Sequence, residues 1–219
     1  MGLELIGLGG AIADVDPAHD ALRTSPRPPE AVGAFRLAKF SGLMTGIAAN
    51  GNVFLFRNAN PANLILLQYL HVKYQVITGF TAAQELGFSA FAVRNWATLT
   101  VGGTQVSVAN NNMKKRTSLA ASQVDARIAA AVVLTAPGGV TVQDPDAFLV
   151  GMGKTLAAAA TVQDAAFEAI YDGSNGADHP FVIAPNEGFS IQNSILMGAA
   201  GTVRMSITAA WLEAETYGA

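Results

Sequence analysis

The hydrophobic pattern is clearest at the C-terminus of the chain. Val203, Met205, Ile207, Ala209 and Trp211 occupy every second position, with Arg204, Ser206 and Thr208 between them. A helix would mix the two sets, whereas a strand with one buried face separates them, so this run predicts a half-buried β-strand. Leu70, Val72, Tyr74 and Val76 alternate with His71, Lys73 and Gln75 in the same way. Phe189, Ile191 and Ile195 alternate with Ser190, Gln192 and Ser194, and this run is expected to form a strand neighbouring the C-terminal one. Near Phe35 the phase slips. Phe35 and Leu37 share one parity and Phe40 takes the other, which predicts a β-bulge of one extra residue.

Turn chemistry separates these runs. It falls at Ala49 to Asn52, Asn58 to Asn63, Gly102-Gly103, Asn110 to Asn112, Pro137 to Gly139, Asp172 to Asp178 and Pro185 to Gly188. Several short apolar segments punctuated in this way predict an all-β, antiparallel β-sandwich over residues 34–219. Two alanine-rich stretches, Leu119 to Leu134 and Leu156 to Ile170, are compatible with helix, because alanine is the best helix former. Partial alternation of Ile128, Ala130, Val132 and Leu134 favours a strand from about Ala126, and a strand is expected in the second stretch too.

Residues 1–33 differ from the rest. Pro17, Pro26, Pro28 and Pro29 interrupt a run that carries Asp14, Asp16, Asp20, Arg23, Arg27 and Glu30. Proline fixes φ and removes a donor, so this stretch is expected to be an extended N-terminal arm without regular structure, lying across another chain.

Composition sharpens the picture. Of 219 residues, 51% are hydrophobic and only 13% charged, about half the usual charged share. Such a chain fills a core and still leaves apolar surface, which points to burial against other subunits, with a homotrimer as the first expectation. A formal net charge of −3 argues against a protein built to grip nucleic acid. With no cysteine, disulfides and thiolate metal sites are excluded. The N-terminus lacks a basic signal region, and the apolar runs Asn63 to Leu67 and Ala129 to Ala136 fall well short of the ~18 residues that span a bilayer. A soluble protein, made where no export signal is needed, is therefore expected.

Candidate chemistry is sparse. Gly151-Met-Gly-Lys-Thr155 ends like a phosphate-binding loop, but the required first glycine is Phe148 and no βαβ unit surrounds it. Gly7-Leu-Gly9-Gly10 begins like a dinucleotide fingerprint, but Ile12 stands where the third glycine belongs. Asp14, Asp16, His19 and Asp20 could supply metal ligands, yet Ala18 and His19 stand where a calcium loop needs a ligand and a glycine. Asp172, Asn175, Asp178 and His179 form a second polar cluster that turn chemistry explains. His71 falls on the polar face of its strand. No nucleophile elbow is present, and nothing points to a pair of glycosidase carboxylates. Lys114-Lys115-Arg116 is the single basic cluster, expected to be a solvated loop or a contact with DNA or an acidic neighbour. No catalytic, cofactor or metal residue is assigned, and an enzyme is not expected.

Several segments, taken in order, resemble a family of virion structural proteins of tailed bacteriophages. They are Phe35 to Met44, Val53 to Arg57, Asn112 to Ser118 with Asp125 to Ile128, and Ala184 to Phe189 with Gly201 to Arg204 and the Trp211 strand. The alanine-rich stretch from Leu156 to Ala166 resembles the family least. The resemblance implies a particle component assembled in the host cytoplasm and carries no catalytic residue. The leading expectation is a jelly-roll-like capsid decoration (cement) protein bound to the major capsid protein. A tail, collar or head-spike component is the alternative. A carbohydrate-binding module is the second, and it would need Trp96 or Trp211 on a loop face.

Overall fold

In the computed structural model, residues 15–16, 21–22, 31–96, 102–106, 113–115, 120–130, 142–155, 166–173 and 180–215 are described. Among them there is no α-helix. Two sheets, antiparallel throughout, pack face to face, as the alternating pattern requires of strands with one apolar side.

The first sheet joins β3 (Ala31–Phe40), β14 (Thr202–Ala214), β5 (Leu64–Thr78) and β11 (Ala166–Asp172) in that order, with β12 (Phe181–Ile183) also paired to β5. The second joins β4 (Gly51–Asn58), β13 (Gly188–Asn193), β6 (Gln84–Arg94) and β10 (Leu149–Thr155). Beyond β4 it continues through β8 (Val124–Ile128) to β7 (Thr104–Val106), and β9 (Val142–Gln143) pairs with β6. Near the N-terminus, β1 (Val15–Asp16) and β2 (Ala21–Leu22) form a short antiparallel pair. The expected arm thus contains a local pairing, and β3 begins at Ala31, just before the boundary at residue 34.

Between the sheets lies a core of interlocking rings. Trp211 of β14 stacks on Phe35 at 5.7 Å and meets Phe56 of the facing sheet edge-on at 5.2 Å. Tyr74 of β5 reaches across to Phe88 of β6 at 5.1 Å, and Phe88 stacks on Phe167 of β11 at 5.9 Å. Val203, Met205, Ile207, Ala209 and Trp211 are all buried, as the alternation of β14 predicts, and so are Leu70, Val72, Tyr74 and Val76 of β5.

Three expectations are corrected. No bulge lies between Phe35 and Phe40: β3 pairs with β14 without a break from Gly33 to Phe40, and the register shift falls between Glu213 and Ala214. Phe40 therefore keeps its phase and points outward, 71% exposed. The Phe189 run, expected beside the C-terminal strand, is β13 in the opposite sheet, where both its faces are buried. The alternation marks the strand, but its polar face, Ser190 and Gln192, is covered too, and parity alone does not say which sheet holds it. Finally, Ile195 lies beyond the end of β13. The alanine-rich stretches yield strands at Val124–Ile128 and Ala166–Asp172, while positions 131–134 and 156–165 lie outside the described residues.

Candidate functional site

The outer face of the β3–β14–β5–β11 sheet is built in cross-strand rows. One row is Glu168, Lys73, Ser206 and Phe40; the next is Ile170, His71, Thr208 and Ala38; the third is Asp172, Tyr69, Ala210 and Arg36. Side chains directly opposite each other on a sheet face stand side by side. The column along β14 is small, Ser206, Thr208 and Ala210, while the flanking columns carry Tyr69, His71 and Lys73 on one side and Arg36 and Phe40 on the other. The result is a shallow trough. On its β5 wall, His71 Nε2 lies 2.9 Å from Glu168 Oε2, and the Tyr69 and His71 rings meet edge-on.

On the β3 side the trough opens into a hollow of about 420 Å³ bordered by Arg36, Leu37, Ala38, Lys39, Met113 and Thr208. The basic cluster found in the sequence is brought to this place. Lys114 bridges to Phe35, and the Lys115 N–H donates to the Ala34 carbonyl at 2.9 Å, so both lysines sit at the edge of β3. Arg36, Lys39, Lys114 and Lys115 make no ion pair with any described residue. Arg116 lies outside the described residues. With Arg36 and Lys39 bordering the hollow and Lys114 and Lys115 at the edge of the same strand, this is the place best suited to hold something anionic.

Elsewhere, apolar side chains stand in solvent. Met152 and Leu196 are each 66% exposed, and Val150 and Ile170 are more than half exposed. Val150 and Met152 project from the outer side of β10, over Ser89 and Gly87 of β6.

Buried polar groups serve the fold. Arg57 lies opposite Asp125 in the β4–β8 ladder, and it donates through Nε to the Trp96 carbonyl at 2.6 Å and through Nη2 to Asn186 Oδ1 at 2.7 Å. Asn186 adopts φ 61° at the turn into β13. There the Glu187 N–H donates to the Ala184 carbonyl, while Glu187 Oε2 accepts from the Ala184 N–H at 3.1 Å. Arg94 links Asp144 and Glu187 by ion pairs of 3.2 and 3.1 Å. Burial raises the Asp125 carboxyl above its ordinary range, against the pull of Arg127 and Arg57. Burial raises Glu213 as well, partly offset by hydrogen bonding, chiefly from the Ser122 hydroxyl. Tyr74, its phenol pushed up by burial, has no partner for its hydroxyl.

The motifs weighed in the sequence resolve as follows. Gly151-Met-Gly-Lys-Thr155 lies in strand β10, with the glycines facing the core and Met152 and Lys154 facing out. Among the described residues, no group of three or more histidines and carboxylates could hold a metal ion. Gly7 to Gly10 and His19 lie outside the described residues, as do Asn175, Asp178 and His179. Trp96 and Trp211 are both fully buried, so neither offers a platform for a sugar ring. No helix among the described residues is long and apolar enough to cross a membrane. The hollow on β3 was missed by sequence reasoning, because its walls come from segments about seventy residues or more apart; the one signal was the Lys114 cluster. No family model and no curated protein matches the chain.

Proposed function

We propose that the chain is a structural protein of a tailed-bacteriophage particle, a decoration (cement) protein that self-associates and binds the outer surface of the major capsid shell. The observation that carries this reading is the uncovered apolar surface of an otherwise well-packed sandwich. Phe40, Val150, Met152, Ile170 and Leu196 stand exposed on a chain with few charges to keep it apart from its neighbours. Surfaces of this kind are stable when buried against other subunits.

Strand order supports the reading further. Numbering β3, β4, β5, β6, β10, β11, β13 and β14 from 1 to 8, one sheet runs 1-8-3-6 and the other 2-7-4-5. Successive strands alternate between sheets except for 4 and 5, which pair with each other, and this order favours the jelly-roll form of the sandwich, an architecture shared by viral capsid and lectin domains. That is an analogy of fold, since one fold serves many functions. The lectin-like reading is weakened by the burial of both tryptophans.

The test is the composition and image of purified particles of the phage that encodes the chain. Peptides of this protein at a copy number comparable to the major capsid protein, with density over the whole shell, are the expected result. Density confined to the tail, collar or one vertex would assign the alternative placement. Absence from particles would end the virion reading.

A further inference from the structure

The first 30 residues carry five acidic side chains, Glu4, Asp14, Asp16, Asp20 and Glu30, against two arginines. Their net charge of −3 equals that of the whole chain, so everything from Ala31 onward is balanced. Three of the five acids cluster within and beside the β1–β2 pair. On the body of the molecule, four of the cations without an ion-pair partner lie on or beside β3: Arg36 and Lys39 border the hollow, and Lys114 and Lys115 sit at the strand's edge, while Lys73, Arg127, Lys154 and Arg204 stand elsewhere. Each group is the complement the other lacks.

We propose that the hollow on β3 is the docking site for the acidic N-terminal stretch, Asp14 to Asp20, of a second copy of this chain. This rests on the self-association in the functional reading, but not on where in a particle the assembly sits.

Chain length and stiffness favour a neighbour over the stretch's own body. Ten residues lie between Asp20 and Ala31, an extended reach of about 35 Å, comparable to the width of a small domain. Ser25-Pro-Arg-Pro-Pro-Glu30 leads directly into β3, and proline-rich sequence is extended and semi-rigid. A sharp reversal back onto the strand it has just entered is disfavoured, whereas projection onto an adjacent copy is not. The floor of the hollow, Ala38 and Thr208, is small enough to admit a chain. DNA is the less suitable occupant, because the chain from Ala31 onward has no basic excess to follow a phosphate backbone.

Two charge-reversed full-length variants test this by sedimentation. One carries Arg36→Glu and Lys39→Glu; the other carries Asp14→Lys, Asp16→Lys and Asp20→Lys. Two or three exposed ion pairs together amount to roughly a tenfold change in affinity, so each variant alone should self-associate about tenfold more weakly than wild type. Raising the salt should weaken wild-type association in the same direction. An equimolar mixture of the two variants should recover association, since each presents the arm that fits the other's hollow.

If the mixture stays dissociated while a single chain with all five changes recovers, the arm docks on its own body and the proposal is overturned. If neither variant changes self-association, the proposal fails while the assembly stands. A monomeric wild type removes both. A hollow variant that loses affinity for a DNA fragment but keeps wild-type self-association would give the site to nucleic acid instead. Because Arg36 and Lys39 are exposed, both variants should melt with the wild type; if the β3 variant unfolds, the arm variant alone still carries the test.

Discussion

Gly151 lies directly opposite Phe88 in the ladder between β10 and β6, and the Phe88 ring occupies the space a side chain at 151 would need. A Cβ placed there would come within 2.3 Å of the ring. At Gly153 the ring that would be met is Phe167 of the facing sheet, at 2.6 Å. The glycines that suggest a phosphate loop in the sequence are thus spaced to let two stacked rings approach the backbone of an edge strand. Gly151→Ala should destabilise the protein by about 1–3 kcal/mol through overpacking. Lys154→Ala, on the outer side of the same strand, should shift the melting temperature little. Equal effects in thermal unfolding would contradict this account of the motif.

Trp211 provides the largest expected effect. Its indole packs between Phe35 of its own sheet and Phe56 of the other, fully buried. Trp211→Ala should cost about 3–5 kcal/mol, a large share of the ~5–15 kcal/mol that stabilises a typical domain. Thr208→Ala, on the outer face of β14, should be mild. Chemical denaturation of the two variants side by side measures both, and an unchanged midpoint for Trp211→Ala would sink its place in the core.

Tyr74 should respond in the opposite sense. Its ring packs among Phe88 and Phe167, but its hydroxyl is buried without a hydrogen-bond partner. An unsatisfied buried polar group costs about 1–3 kcal/mol, so Tyr74→Phe should leave stability unchanged or raise it by about that amount. A marked loss of stability would show that the hydroxyl has a partner.

Stability should also rise as pH falls from neutral toward mild acid. Burial raises the folded-state values of Glu213 and Asp125 above 4.5 and 3.8, the ordinary values of these groups. Between the ordinary and the raised value the folded protein binds more protons than the unfolded one, so stability is full below that window and is lost as pH rises through it. Glu213→Gln removes one of the two charges and keeps an acceptor for the Ser122 hydroxyl. Its melting temperature should change less between about pH 5 and about pH 7.5 than that of wild type. A steeper dependence in the variant would reverse the assignment.

The sequence by itself determined the class of fold and the inward faces of its two longest strands. In β5 and β14 one face is buried and the other wet, so each residue's environment is written in its parity. It also determined many of the turns, because residues such as Asn50, Gly102, Gly103 and Asn186 sit where φ is positive, and local backbone sterics select asparagine and glycine there. Tertiary structure alone decided the rest. Phe40 looks out of phase only if a phenylalanine must be inside; an exposed position on an outer strand leaves it in register and in solvent. Sequence proximity suggests β13 beside β14, yet strand order is set by which faces close over a shared core, and that puts it in the opposite sheet. The hollow on β3 depends on the same long-range pairing: Met113 borders it, and Lys114 comes to the edge of β3, only because their segment bridges to Phe35. Periodicity is a property of neighbours along the chain, whereas sheet order and the sites it creates are properties of contacts between residues distant in sequence, which no local pattern encodes.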